Sequence, residues 1–351
     1  MLKLIRILLS PLTILYSFVI RIRNRLFDKN IFKQIKVDIK IISVGNISVG
    51  GSGKTPLVIM LAKYLKSKNI KVGILSRGYG RKSKGYKLVS KGDAPLLNVQ
   101  DAGDESYLIA EECKIPIAVA EKRVDGVLKF IKDVQLDTII LDDAFQHRWI
   151  KRDLDIVVID QKFLSDVNSI DQRLLPLGSL REHFDSLERA DIVIINKKFS
   201  RKVGIPLKLR KYLLPKKIFY SSYIIDGIYD LKSNKKYSVK DFDGQKSLVV
   251  CGIARPFSFL RILDQNNIQI KNKLVFVDHK NYTIKEVERI RKEFYETNSF
   301  SVLTTQKDAV KLSEFVRELD DVDIYYLKIK VMMDEGEEFY NKIDKIIFNN
   351  N

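Results

Sequence analysis

Residues 39–66 read IKIISVGNISVGGSGKTPLVIMLAKYLK, an apolar β-branched run, a glycine-rich loop and a segment with helically spaced apolar residues. Phosphate oxygens need several backbone N–H groups converging on them. Gly50, Gly51 and Gly53 permit that approach because no Cβ blocks it. A helix that begins just after the loop adds its positive end. The stretch therefore predicts a strand, a phosphate-binding loop and a helix, with Ser52 inside the loop.

The residues after the last loop glycine indicate a nucleotide with a metal ion. Lys54 would reach the β- and γ-phosphates of ATP, and the Thr55 hydroxyl would coordinate Mg²⁺. The strict pattern G-x-x-x-x-G-K-[ST] begins with glycine, where this chain has Ser48. A glycine-rich turn that binds no nucleotide is the alternative. The order of strand, loop and helix favours the nucleotide.

A second motif, which is acidic, supplies the carboxylates that a phosphate-binding loop with Mg²⁺ needs. The run Thr138-Ile-Ile-Leu ends in Asp142 and Asp143, as expected for a buried strand whose terminal carboxylates hold Mg²⁺ or its water ligands. A capping pair after a strand is the alternative. Together the two motifs predict a site for a magnesium nucleotide.

Short β-branched runs alternate with longer stretches of helical spacing along most of the chain, which is typical of βαβ units around a largely parallel sheet. The predicted strands are Ile39–Val44, Val72–Ser76, Ile117–Ala120, Thr138–Leu141, Ile156–Ile159, Ile192–Ile195, Ser247–Cys251, Lys273–Val277, Ser301–Thr304 and Asp323–Val331. We expect an α/β fold of the P-loop NTPase type with helices on both faces. The predicted divisions are a basic segment at 1–38, a P-loop domain at 39–225 and a smaller α/β domain at 226–351.

The composition narrows the class of protein. The chain has 351 residues, 45% of them hydrophobic and 30% charged, which describes a folded protein. Cys113 and Cys251 lie far apart outside any CxxC motif, so neither a disulfide framework nor a zinc ribbon is indicated. The net charge of +18 suggests an anionic partner, which could be a nucleic acid, a phospholipid surface or a phosphorylated substrate.

The amino-terminal segment concentrates that charge. Residues 1–40 hold nine Lys or Arg and two Asp, and residues 7–20 are uncharged and mostly apolar. A membrane-spanning helix usually needs about 20 apolar residues. We therefore expect a helix that lies in the membrane interface, its basic neighbours facing anionic lipid. A spanning helix, an ordinary core helix and a cleaved signal peptide are the alternatives.

Signatures of two other nucleotide-binding classes are missing. The guanine motif Asn-Lys-x-Asp fails at Asn196-Lys-Lys-Phe199, and Thr305-Gln-Lys-Asp308 has its Asp one place early. ATPases that resemble septum-placement proteins carry a lysine where this chain has Val49. Polar clusters follow several predicted strands instead, at the sheet edge where open parallel sheets bind ligands.

Eight motifs in order resemble one family, tetraacyldisaccharide 4′-kinase, the lipid A 4′-kinase of Gram-negative bacteria. They are residues 43–56, Ser76-Arg-Gly-Tyr-Gly-Arg81, Gly103-Asp-Glu105, Leu141-Asp-Asp-Ala-Phe-Gln-His147, Leu175-Pro-Leu-Gly-Ser-Leu-Arg-Glu182, Gly252-Ile-Ala-Arg-Pro-Phe257, Asp278-His279 and Thr304-Thr-Gln-Lys-Asp-Ala-Val-Lys311. The family is similar in having Ser at the first position of its phosphate loop and an amphipathic helix at its start. Ala144 and Gln306 depart from the family pattern, where glycine and glutamate are expected.

The resemblance implies an activity and a location. The γ-phosphate of ATP would pass to the 4′-hydroxyl of a tetraacylated glucosamine disaccharide 1-phosphate, giving lipid IVA. The enzyme would sit at the cytoplasmic face of the bacterial inner membrane as a peripheral or monotopic protein. Its partners would be the lipid substrate and anionic membrane lipids, and no nucleic acid is expected.

The resemblance also implies residue roles. Asp104 would take the acceptor proton, assisted by His279, and closure of a cleft between the domains would bring the two together. Arg181 would meet charge that develops during transfer. Glu105, Asp142 and Asp143 would serve the metal, while Gln146, His147 and Asp278 would lie on the phosphate and acceptor side.

From the residues alone, other interpretations stay open. Asp104 and Glu105 equally fit the start of a helix, where acidic residues are favoured. His279 could be an ordinary surface histidine. Arg77 and Arg81 could belong to a solvated basic turn. Two rival functions also stay open. A P-loop switch or chaperone would act with a protein partner, and a nucleic-acid-dependent ATPase would use the basic surface.

Overall fold

The computed structural model describes residues 10–166 and 168–348, so the first nine residues of the predicted amino-terminal segment lie outside the described residues. The helices are α1 (Ser10–Asp28), α2 (Lys54–Ser67), α3 (Val99–Ala102), α4 (Asp104–Cys113), α5 (Arg123–Asp133), α6 (Gln161–Ser165), α7 (Leu207–Leu213), α8 (Pro256–Gln265), α9 (Ile284–Glu296), α10 (Gln306–Leu312) and α11 (Gly336–Phe348). The strands are β1 (Lys40–Gly45), β2 (Val72–Ser76), β3 (Lys87–Lys91), β4 (Pro116–Val119), β5 (Thr138–Asp142), β6 (Leu154–Asp160), β7 (Ile192–Lys198), β8 (Lys217–Asp230), β9 (Lys236–Tyr237), β10 (Lys246–Cys251), β11 (Gln269–Val275), β12 (Ser301–Thr305) and β13 (Ile324–Met333).

The described strands form one sheet in the order β11-β10-β12-β13-β8-β7-β6-β1-β5-β2-β4-β3, and β9 pairs with β8. From β8 to β4 the pairs are parallel, and so are those from β11 to β13. Strand β3 is an antiparallel edge. Parallel strands need crossover connections, and helices on both faces supply them. The predicted α/β fold of the P-loop type is confirmed.

The two parallel halves meet at one antiparallel pair. Strand β8 runs against β13 from Tyr325↔Asp230 to Met333↔Ser221, with an irregularity between Lys328 and Ile329. It passes through the predicted boundary at 225/226, so both halves share a continuous sheet. The division at 39–225 and 226–351 stays a prediction.

Apolar side chains fill both sides of the sheet. On one side, α2 buries Leu57, Leu61 and Leu65, which follow one another at intervals of four residues and so share one helix face. On the other, buried residues of β6 and β7 pack with α7 and the segment before it. Strand β1 is buried along most of its length, and so it fixes the loop that leaves its carboxyl end.

All ten predicted strands are present, with the largest shift in ends at β11. Strands β3, β8 and β9 were not predicted. In β8, Ser221, Asp226 and Gly227 interrupt the apolar run, and only part of each face is buried. The strand therefore lacks the continuous apolar run of a strand buried on both faces. In β3, lysines at both ends give the appearance of a loop.

The predicted amino-terminal helix is present as α1. One side packs on the protein through Tyr16, Asn24 and Phe27. Its exposed large apolar side chains are Leu12, Ile14, Leu15, Phe18, Val19 and Ile22. Within residues 10–166 and 168–348, none of the helices is both long and apolar enough to span a bilayer.

Candidate active site

The phosphate loop is held open by contacts from neighbouring strands. Gly50 and Gly53 have φ angles of 99° and 94°, a left-handed region that favours glycine. The Asn196 side chain donates to the carbonyl of Ser52 at 3.0 Å, and Lys198 Nζ donates to the carbonyl of Gly51 at 3.0 Å. These donors occupy two loop carbonyls, and within the loop Ser52 N donates to Gly50 O at 3.0 Å.

The loop is also tied to the segment that carries Arg181. Val49 N donates to Ser179 O at 2.8 Å, and Ser48 forms an isolated bridge with Leu180. The Arg181 guanidinium donates to both carboxylate oxygens of Asp143, at 2.9 and 3.0 Å. The loop and Arg181 are therefore positioned together.

Asp143 links the predicted phosphate and metal groups. Its Oδ1 lies 3.5 Å from Lys54 Nζ, at the start of α2. Burial alone would raise the pKa of Asp143, but Lys54 and Arg181 outweigh burial and lower it. Asp143 is therefore an ionised carboxylate between two cations, in a left-handed turn with φ of 49°.

Asp142 has a different environment. It is 2% exposed, and its Oδ2 accepts a 3.0 Å hydrogen bond from Ser76 Oγ. Burial raises the pKa of Asp142, and the negative charges of Glu105 and Asp143 raise it further. Its Oδ1 is buried without a hydrogen-bond partner among the described residues. An unpartnered buried carboxylate oxygen beside a phosphate loop fits a ligand to Mg²⁺ or to its water.

The described residues contain no ready-made group of three His, Cys, Asp or Glu side chains that could hold a metal ion alone. Mg²⁺ bound with a nucleotide takes one or two carboxylates and completes its shell with phosphate and water oxygens. Thr55, at the second position of α2, contributes a hydroxyl on the same cavity.

Asp104 and His279 come from opposite halves of the sheet and are in contact. Asp104 begins α4, and its Oδ1 accepts from Glu105 N at 2.9 Å. His279 follows β11, and its Nδ1 lies 3.1 Å from Asp104 Oδ2. The backbone N–H of His279 donates to Asp278 Oδ1 at 3.1 Å, in a turn with φ of 55°.

The two groups change each other's proton affinity. Burial would raise the pKa of Asp104, but the His279 hydrogen bond and the charges of Lys307 and Lys311 lower it. Burial would lower the pKa of His279, but Asp104 raises it. Asp104 is therefore a carboxylate beside an imidazole of raised pKa, and the ring can accept a proton while it is neutral.

Lys307 joins this pair from the start of α10. Its Nζ lies 3.0 Å from Glu105 Oε1 and 3.0 Å from His279 Nε2. An ammonium group only donates, so the neutral ring accepts from Lys307 at Nε2 and donates from Nδ1 to Asp104. Protonation of His279 would break the contact with Lys307. Lys307 therefore orients the ring and favours its neutral form.

A cavity of about 1320 Å³ lies between the two halves of the molecule. The phosphate loop, Lys54, Arg181 and His279 border it, whereas Asp104 lies behind His279. Gln146 reaches from the cavity wall to the carbonyl of Asn46 at 2.8 Å.

The remaining predicted residues also border this cavity. They are Glu105, Gln146, His147 and Asp278. Burial and then Arg123 lower the pKa of His147 to about 4, so its ring is neutral at physiological pH. The structure thus brings all predicted site residues to one cavity or, for Asp104, directly behind its wall.

Several charged residues at the site were not predicted. Arg255 and Lys198 both contact Asp160 Oδ2, at 2.6 and 2.8 Å, and so tie the second half of the molecule to the phosphate loop. Arg123 NH2 donates to the carbonyl of Asp142 at 2.9 Å. Arg255 and Lys307 lie in motifs already noted in the sequence, but nothing in the spacing indicated their partners.

Of the two arginines in the turn after β2, Arg77 borders the cavity. Arg81 is paired with Glu121 at 2.6 Å, so it does not serve as a free anion-binding group.

Comparisons with known proteins agree over nearly the whole chain. The profile of a family described as tetraacyldisaccharide-1-phosphate 4′-kinase matches residues 5–347. The tetraacyldisaccharide 4′-kinase of Chlorobium phaeobacteroides is 37% identical over 355 residues, covering 98% of each chain. That of Chlorobium limicola is 37% identical over 360 residues, covering 97% of this chain and 98% of its own.

A solved structure has the same fold. The crystal structure of LpxK from Aquifex aeolicus in complex with ATP superposes with a TM-score of 0.77 at 31% identity. The match covers 98% of this chain and 99% of that chain.

Proposed function

The chain belongs to the tetraacyldisaccharide-1-phosphate 4′-kinase family, and we infer that it is an ATP-dependent kinase of lipid A biosynthesis. It transfers the γ-phosphate of ATP to the 4′-hydroxyl of a tetraacyldisaccharide 1-phosphate, giving lipid IVA. The observation that carries this function is one cavity bordered by both the phosphate loop and His279, with Asp104 paired to His279 behind the cavity wall.

We propose that ATP binds with its phosphates on the loop from Gly50 to Thr55. Backbone N–H groups and the start of α2 would receive the β- and γ-phosphates, and Lys54 would lie beside them. Arg181, now on Asp143, is placed to meet the negative charge of the transferred group. Relatives are named as kinases of the same acceptor, and an ATP complex is known for the LpxK structure.

Magnesium is part of this proposal. The Thr55 hydroxyl and the unpartnered Oδ1 of Asp142 fit the ion or its water shell, with Asp143 and Glu105 close by. When bound, the ion neutralises phosphate charge and helps to orient the transferred group. It would also offset the mutual repulsion of Asp142, Asp143 and Glu105.

We propose that the Asp104–His279 pair receives the proton of the acceptor hydroxyl. His279 faces the cavity, and Asp104 stabilises positive charge on its ring. Nε2 is the ring nitrogen that would take the proton; Lys307 donates to it before transfer, and Glu105 would keep Lys307 paired once it leaves the ring. Gln146, His147 and Asp278 would contact the phosphates or the sugar, since all three border the same cavity.

We also propose that the protein rests on the cytoplasmic face of the bacterial inner membrane. Six exposed apolar residues on α1, with Arg21 and Arg25 beside them, have the chemistry of a helix in an anionic interface. A substrate anchored in the bilayer by four acyl chains requires an enzyme that works there.

The direct test is γ-phosphate transfer from radiolabelled ATP to tetraacyldisaccharide 1-phosphate in mixed detergent micelles. Label in the lipid, dependent on magnesium, is the expected result. Hydrolysis of ATP without labelled lipid would contradict the kinase assignment and would return attention to a switch or chaperone acting with a protein partner. The Lys54→Ala variant is the negative control for contaminating kinases.

A further inference from the structure

The connection between β7 and β8 is strongly basic and exposes apolar side chains. Residues 200–217 contain seven Lys or Arg and no Asp or Glu. The basic residues are Arg201, Lys202, Lys208, Arg210, Lys211, Lys216 and Lys217. Three apolar residues of the same segment are exposed: Leu207 by 77%, Leu214 by 60% and Val203 by 50%.

Helix α7 in this connection has two apolar faces. Leu209 and Leu213 are buried in the cluster that covers β6 and β7. Leu207 and Leu214 are seven positions apart, close to two helical turns, and Leu214 keeps helical backbone angles, so both lie on one outward side. Lys211 lies one turn from each, so the outward face is apolar and basic.

Helices α1 and α7 cover the same side of the sheet. Tyr16 of α1 packs against the cluster that buries Leu209 and Leu213. Between the helices, Phe184 stacks on Tyr212 of α7 with ring centroids 6.0 Å apart, and the neighbouring His183 bonds Ser17 of α1 at 2.8 Å. Both helices therefore present exposed leucines on the same layer of the protein.

We propose that residues 200–217 form a second contact with an anionic lipid bilayer, separate from α1. Lys217 pairs with Glu338, and the other six cations of this segment complement an anionic surface. Exposed leucines between them can enter its acyl boundary. The proposal rests on the membrane placement above. One interfacial helix leaves a protein free to turn about that helix, whereas two contacts fix which side of the sheet faces the lipid.

The test uses the purified full chain and sedimentation with vesicles. One set contains phosphatidylcholine only, and the other also contains phosphatidylglycerol. The apolar variant is Leu207→Ser with Leu214→Ser, and the charge variant is Lys208→Gln, Arg210→Gln and Lys211→Gln. The matched controls are Leu96→Ser, at a residue that is 57% exposed, and the triple variant Lys232→Gln, Lys235→Gln and Lys240→Gln.

Both α7 variants should bind the anionic vesicles about tenfold more weakly, and the controls within about twofold of the original chain. Only the charge variant should reduce the difference between the two vesicle types. Kinase activity in detergent micelles should be unchanged in every variant, because α7 lies outside the cavity.

Equal vesicle binding by all variants would overturn the second contact and leave the membrane placement standing through α1. A charge variant that loses binding to duplex DNA and not to vesicles would overturn it in favour of a polynucleotide surface. Absence of vesicle binding by the original chain would overturn both the contact and the placement, while labelled lipid in the micelle assay would still support the kinase.

Discussion

His279 Nδ1 lies 3.1 Å from Asp104 Oδ2, although 175 positions separate the two residues in the chain. One residue begins α4, and the other follows β11 in the second half of the molecule. His279 borders the cavity that the phosphate loop also borders. The proposed proton-accepting pair of Asp104 and His279 therefore forms only when both halves are in the observed arrangement.

Replacing Asp104 should remove the proposed proton-accepting pair with little change in structure. Asp104→Asn keeps the shape but loses the charge, and we expect kcat for phosphate transfer to fall about 10²-fold or more, with little change in KM for ATP. Steady-state assays in micelles measure both. A variant with unchanged transfer would exclude Asp104 from the proton-accepting pair.

The contribution of Lys307 can be separated from simple stability. Lys307→Met removes the donor to His279 Nε2 and the partner of Glu105, so we expect kcat to fall about tenfold or more. Lys307→Arg should recover part of the loss because it keeps the charge. Equal activity of the Met and Arg variants, at unchanged thermal stability, would contradict an orienting role for the ammonium.

Asp142 should destabilise the metal-free protein at neutral pH. Its pKa is raised in the folded state, so the folded protein binds more protons than the unfolded chain above about pH 4. The free energy of unfolding should therefore fall as the pH rises from about 4 to about 6. Asp142→Asn should raise the metal-free Tm at pH 8 by about 2 °C or more, the scale of about 1 kcal/mol, while it abolishes transfer.

Asp143→Asn is the matched control, and we expect it to change the Tm in the opposite direction. The pKa of Asp143 is lowered by Lys54 and Arg181, so its ionised form stabilises the folded state above the ordinary carboxyl range. The Asn variant should have a lower Tm at pH 8, by differential scanning calorimetry without magnesium. A rise in Tm for both variants would show that the two carboxylates do not differ as the geometry indicates.

Lys54→Ala should abolish transfer through loss of phosphate positioning. The salt bridge with Asp143 would also be lost, but Arg181 keeps that carboxylate paired. We therefore expect a folded protein by circular dichroism with no labelled lipid. Full activity in this variant would contradict the assignment of the nucleotide site.

The phosphate loop and the acidic strand could be found from sequence because their chemistry is local. Strand, loop and helix follow one another within residues 39–66, and Asp142 directly ends its own strand. Backbone approach to phosphate depends on the glycines themselves. The fold class follows from the same local periodicity.

Other features depended on residues that meet only in space. Strand β8 lacks a regular apolar pattern, and its place between β7 and β13 is set by pairing with strands distant in the chain. The contacts of Lys307 and Arg255 have no sequence spacing that indicates them, since each joins elements far apart in the chain.

The sequence by itself determined the nucleotide loop, the α/β fold and the family, because these rest on local motifs and on periodic burial. The tertiary structure decided which carboxylate is paired with cations and which is buried without a partner. It also placed His279 on Asp104 and Lys307. Proton affinities depend on burial and on charges within a few ångströms, and those neighbours are set by packing between distant elements.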